Sequence, residues 1–143
     1  MVTRDFPYDA FLSYRHREPD QGWVRGVLLP RLKAAGLKIC IDIGSFRLGA
    51  PLVREMGRAV EESRYSVAVL SPAYLESAFT DFEATLSEHL GLEESSTRLL
   101  LLVREPCQPR LSLRFRFMLE MGDADVEAGL ARLIDQLREP PTQ

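Results

Sequence analysis

Apolar and polar positions along this chain switch repeatedly between a strand-like and a helix-like spacing. Residues 8–14 (YDAFLSY) form a short, mostly apolar run rich in aromatics, which predicts a strand. Residues 20–35 then place Trp23, Val27, Leu28, Leu32 and Ala35 at helical spacing. Asp20 stands where an N-cap is expected and Gly36 where the helix should stop, while Pro30 should kink that helix or shorten it. Residues 37–42 (LKICID) predict a second strand. Gly44, Gly49 and Pro51 then mark a loop over residues 43–50, long for a simple connection and free to rearrange at its glycines, before a helix over residues 52–63.

The alternation continues. Residues 65–71 (YSVAVLS) predict a third strand, a helical pattern runs from Pro72 through Leu90, and residues 98–103 (RLLLLV) predict a fourth strand. A Pro- and Arg-rich stretch over residues 106–116 interrupts the pattern, and a fifth strand is expected within residues 113–119. Residues 125–137 set Val126, Leu130, Leu133, Ile134 and Leu137 on one side of a final helix. Such a chain predicts an α/β, flavodoxin-like three-layer fold: a five-stranded parallel sheet in the order 2-1-3-4-5, flanked by helices. Ligands of such sheets sit beyond the carboxyl ends of the strands where the winding reverses, so residues 13–15 and 71–74 should border a site.

A length of 143 residues fits one domain over residues 1–138, with residues 139–143 as a tail or linker. The composition, 45% hydrophobic and 27% charged, is that of a chain that folds. With 18 Lys and Arg against 21 Asp and Glu, the net charge of −3 lacks the positive field that nucleic-acid binding needs. Cys40 and Cys107 lie far apart and the N-terminus has no signal-peptide core, which points to the cytoplasm. No apolar run approaches the roughly 20 residues that cross a bilayer, so no direct membrane insertion is expected.

Several chemistries of this fold class are excluded. A phospho-receiver needs an aspartate ending the third strand and a lysine ending the fifth; here the third strand ends in Ser71-Pro72 and the only lysines are Lys33 and Lys38. His16 and His89 have no partners at metal-ligand spacing, so no metal is expected. Neither a G-x-S-x-G elbow nor a phosphate loop occurs, and Cys40 lies within a buried strand, where a structural thiol is the expected role.

The run Tyr8-Asp9-Ala10-Phe11-Leu12-Ser13-Tyr14-Arg15 closely resembles the first signature segment of the TIR (Toll/interleukin receptor homology) domain family. The resemblance continues through Ile41-Asp42, Phe46 and Gly49, Ala59-Val60-Glu61-Glu62-Ser63, and Val69-Leu70-Ser71-Pro72-Ala73-Tyr74. It covers most of residues 6–138, and beyond Val103 the family's Phe-Trp signature is absent. It implies homotypic assembly with other TIR domains and, as in many bacterial, plant and some animal members, cleavage of the nicotinamide–ribose bond of NAD. A bacterial NAD-cleaving member, working in immune or cell-death signalling with a fused or separate sensor, is the reading it favours. The alternatives are a noncatalytic TIR adaptor and a mimic of host TIR domains.

Catalytic members carry a glutamate in a pattern similar to S-x-W-C-x-x-E. Residues 77–83 (SAFTDFE) resemble it, with Phe79 at the aromatic position, Thr80 in place of the cysteine and Glu83 where the catalytic acid stands. At about 100° per residue, Leu75, Phe79, Phe82, Leu86 and Leu90 make one apolar stripe, with Glu83 roughly 60° from its centre, on its margin. Such an edge carboxylate beside aromatics would be partly desolvated, and it would stabilise the oxocarbenium-like ribosyl cation. Nicotinamide leaves as a neutral molecule, so NAD is a substrate and no cofactor is implied. Phe46 and Phe79 offer faces for stacking a base, while Tyr14, Arg15 and Arg47 are candidates for ribose or phosphate contacts.

Overall fold

The computed structural model describes residues 6–77, 82, 85, 98–109 and 116–140. Five parallel strands form the sheet: β1 (Tyr8–Ser13), β2 (Ile39–Cys40), β3 (Ser63–Leu70), β4 (Leu99–Val103) and β5 (Met118–Glu120). Their order is β2-β1-β3-β4-β5, as the strand and helix alternation predicted. Phe11 pairs with Cys40 on one side and Ser66 on the other, and Leu70 pairs with Val103. β2 is shorter than residues 37–42, and β5 ends one residue beyond the expected span. Of that span, residues 113–115 lie outside the described residues.

The first helical segment departs from a single regular helix. It opens with α1 (Asp20–Trp23), passes through a π turn (Val24–Leu28) and ends as α2 (Leu29–Ala34). Leu29 N–H bonds to Val24 O, five residues back. Pro30 has no N–H to give Gly26 and its ring would crowd that carbonyl; the wider turn takes up the misfit. The stop at Gly36 is as predicted: Gly36, at φ +85°, bonds back to Lys33 O, and Leu37 N–H reaches Leu32 O, which closes a Schellman cap. Asp20 is not the N-cap; that position is held by Pro19, and the Asp20 carboxylate is turned inward.

The loop after β2 contains a single helical turn, α3 (Asp42–Ser45), which the glycine punctuation concealed. α4 (Leu52–Glu62) and α5 (Pro72–Ser77) flank β3. The helical pattern beyond Ser77 falls mostly outside the described residues; Phe82 and Thr85, which are described, are both buried. The last helix, α6 (Val126–Leu137), buries Gly129, Leu130, Leu133 and Leu137, a stripe at helical spacing.

Side chains alternate across the strands and fill two cores, one on each face of the sheet. One joins Leu12, Tyr14, Tyr65, Val67 and Val69 to Trp23, Leu28, Leu32, Leu130 and Leu133. The other joins Phe11, Cys40, Ala68, Leu70, Leu101 and Phe82 to Ala59, Val60 and Tyr74. Strands covered on both faces explain their near-continuous apolar sequence. Cys40 is fully buried and its thiol is pushed up to about 11 by burial, which suits a structural role.

Candidate functional site

The carboxyl ends of β1 and β3 converge, as their sequence positions implied. Ser13 Oγ and Tyr74 OH share a buried hydrogen bond of 2.7 Å. Burial drives the Tyr74 phenol well above its ordinary value, so this hydroxyl stays protonated. Ser71, just past β3, accepts the Tyr74 N–H at 3.1 Å and donates to Asp20 Oδ2 at 2.5 Å. One serine thus closes the turn into α5 and satisfies a carboxylate only 2% exposed. Alongside lies a cavity of about 200 Å³ lined by Pro19, Asp20, Arg104, Glu105 and Asp123. The Arg104 guanidinium sits 4.7 Å from the centre of the Trp23 ring and donates to Met121 O and to Asp123, both at 2.8 Å.

A second network joins β1 to the loop. Tyr14 OH donates to Asp42 Oδ1 at 2.7 Å and accepts from Arg25 Nε at 3.0 Å. His16 Nε2 lies 3.5 Å from Asp42 Oδ2, and the His16 ring meets Tyr14 edge-on at 4.6 Å. Burial, reinforced by the bond to Asp42, pushes the Tyr14 phenol up to about 12. The hydroxyl is already engaged on both sides by protein groups.

The loop itself is held from beneath by aromatic contacts. The Phe46 ring stacks on Phe11 at 6.0 Å and 28°, and Phe82 meets the same Phe11 edge-on at 6.0 Å. Phe46 therefore works first as the anchor of the loop, half-buried against the core. Beyond it Arg47 and Leu48 are exposed, and the apolar Ile43, Leu52 and Val53, neighbours in the chain, are exposed as well. The Arg47 N–H bonds to Glu55 Oε1 at 2.7 Å, so its main chain rather than its guanidinium is engaged here.

The residues expected at the site are thus divided. Tyr14 is an interior tie, Arg15 is half-buried with Nη1 3.4 Å from Glu18 O, Phe46 is packed, and the Arg47 side chain is free to meet solvent. Phe79 and Glu83 lie outside the described residues. Asp42, Arg25, Glu55 and Arg58 escaped the sequence reading as parts of this region. For Asp42 the usable signal was its place two residues past β2; for Glu55 and Arg58 it was the i, i+3 spacing of opposite charges.

A family model described as "TIR domain" matches residues 10–134. Human Toll-like receptor 1 is 33% identical over 105 residues, which make up 73% of this chain and 13% of the receptor. The chain thus spans only a small part of the curated relatives it matches. The TIR domain of the Toll-related receptor TRR-2 from Hydra magnipapillata superposes with a TM-score of 0.77 at 24% identity, covering 92% of this chain and 99% of that one. A metazoan TIR-STING receptor from C. gigas gives 0.77 at 22% identity, over 98% of this chain and 42% of that one. These two likenesses concern the fold, the same parallel sheet; the family match runs from β1 into the last helix. The chain belongs to the TIR domain family.

Proposed function

We propose that this TIR domain cleaves the bond between nicotinamide and ribose in NAD, with Glu83 as the carboxylate that stabilises the ribosyl cation, and that self-assembly through the loop promotes the reaction. The supporting observation is the seat of Phe82, which precedes Glu83 in the chain: its ring lies against Phe11, which also carries Phe46 of the loop. Phe82 and the loop thus share one aromatic of β1, which supports a role for this segment and the loop in one site. Loss of neutral nicotinamide leaves positive charge on the sugar, and a carboxylate held beside it lowers that barrier. Water then attacks the anomeric carbon to give ADP-ribose, or a group of the same molecule does so to give a cyclic product.

Incubation with NAD at low and high protein concentration, with the products resolved by chromatography, tests the reading. Nicotinamide should form, faster per molecule at high concentration, and Glu83→Gln should abolish it with an unchanged circular-dichroism spectrum. Turnover that survives in Glu83→Gln removes this residue from the mechanism.

A second reading, a docking module without catalysis, draws on the exposed Ile43, Leu48, Leu52 and Val53, and on curated relatives that are receptors by name. Absence of nicotinamide at every concentration, together with self-association, would select it.

A further inference from the structure

The first turn of α4 is inverted relative to an ordinary amphipathic helix. Leu52 and Val53 face solvent, whereas Glu55 is only 2% exposed. A carboxylate turned inward without partners would be unfavourable, so its partners carry the meaning of the arrangement. Glu55 Oε1 accepts the Arg47 N–H at 2.7 Å and Arg58 Nη2 at 2.7 Å. The same Arg58 Nη2 donates to Ser45 O at 3.0 Å, while Arg58 Nη1 reaches Glu62 Oε2 at 3.2 Å.

These contacts bracket Phe46. The Ser45 carbonyl belongs to the peptide plane on one side of the Phe46 Cα, and the Arg47 N–H to the plane on the other. The φ and ψ of a residue are the rotations between those two planes, so pinning both fixes the direction of its Cβ. Phe46 is held at φ −81° and ψ 139°, which directs its ring onto Phe11. Both contacts are to main-chain groups, so the identities of residues 45 and 47 are not needed for them; the device resides in Glu55 and Arg58.

We propose that Glu55 and Arg58 form a positioning latch for the loop, fixing the backbone at Phe46 so that the ring stays on Phe11 and the tip at Leu48 is presented in one orientation. The consequence for NAD rests on the preceding reading, in which the loop borders the site. The latch itself does not.

Trypsin reads it directly in the intact chain, because the bond after the exposed Arg47 lies beside the contact. Glu55→Ala and Arg58→Met should each accelerate cleavage after Arg47 by about tenfold, the scale of one charge-assisted hydrogen bond lost from a local opening equilibrium. Cleavage after Arg31 and Arg132 should stay near the wild-type rate. Glu55→Gln, whose amide oxygen still accepts from Arg47, should fall between. Unchanged cleavage after Arg47 in both strong variants overturns the proposal, and so does an equal acceleration at all three sites, the signature of general destabilisation. Should those variants fail to fold, amide exchange in the unaltered chain decides: protection of the Arg47 N–H well beyond its free-peptide rate supports the latch, and exchange at the free-peptide rate sinks it. Neither readout involves NAD, so a protected Arg47 alongside absent nicotinamide release would reject the catalytic reading and leave the latch in place.

Discussion

Tyr14 and Asp42 meet through a 2.7 Å hydrogen bond that ties the end of β1 to the first residue of α3. The phenol is almost wholly buried and Asp42 is also approached by Arg25 and His16, so one hydroxyl organises groups from three stretches of chain. Tyr14→Phe keeps the ring and removes only that donor and acceptor. The expected cost is about 1.5–3 kcal/mol in urea unfolding at neutral pH, the range for a hydrogen bond to a charged acceptor. Unchanged stability would show that Arg25 and His16 suffice to hold Asp42.

The same contact shapes the alkaline limb of stability. The native Tyr14 phenol titrates at about 12 against 10.0 for an unperturbed tyrosine, with burial the larger cause. Deprotonation therefore favours the unfolded chain: the contribution is complete below the ordinary value and disappears as pH climbs through the native one. Tyr65 and Tyr74 are shifted in the same direction. Stability should fall from about pH 10 upward, and Tyr14→Phe should make that decline shallower without removing it. Denaturant midpoints across an alkaline pH series, with tyrosinate absorbance recorded alongside, measure both.

At acid pH Glu55 contributes in the opposite direction, as does Glu127 with its partner Arg31. The Glu55 carboxyl is held below the usual range chiefly by Arg58 and next by the Arg47 N–H. Its contribution is present above the ordinary glutamate value and is lost as pH drops through the lowered native value. Glu55→Gln should be less stable than wild type near neutrality, with the two curves converging on acidification. Parallel curves down to the lowest pH at which the protein remains folded would contradict this sign.

Features set by neighbours in sequence could be read directly, and those set by distant partners could not. The stop at Gly36 is local: a glycine after a helical stripe, closed by bonds to Leu32 and Lys33 only a few residues away. Asp20 has the same local appearance as an N-cap, but its partner is Ser71, 51 residues on, and the tertiary contact decided its role. Strand order followed from alternation and apolar runs because both faces of the sheet are covered, a global requirement every strand records. Phe46 was legible as an aromatic on a loop, although periodicity could not say that Phe11 would claim its face. Glu55 resisted most, since a charged residue beside exposed Leu52 and Val53 reads as surface; only the inward orientation of the turn brings it to the Arg47 N–H and to Arg58.

Gly129 tests the packing of α6 against β5. A Cβ added there would lie 2.9 Å from the Glu120 carbonyl oxygen and would also meet Met121 Sδ. The thioether can swing aside, but the carbonyl is at the end of a paired strand and cannot. Gly129→Ala should therefore cost about 1–3 kcal/mol, despite alanine being the better helix former. Calorimetry gives the answer; a raised midpoint would mean that α6 slides at no cost.

Leu48 separates assembly from folding. It is fully exposed at the tip of the loop, with Ile43, Leu52 and Val53 also open to solvent nearby in the chain, so a charge there meets no packing. Leu48→Asp should alter stability by less than about 0.5 kcal/mol while weakening self-association, because an apolar contact loses area and gains a charge to desolvate. Light scattering over a concentration series measures the second effect. If turnover depends on assembly, nicotinamide release by Leu48→Asp should match wild type in dilute solution and fall behind it as concentration rises. An equal loss at all concentrations would place Leu48 in substrate binding, and association equal to wild type would move the contact away from this loop.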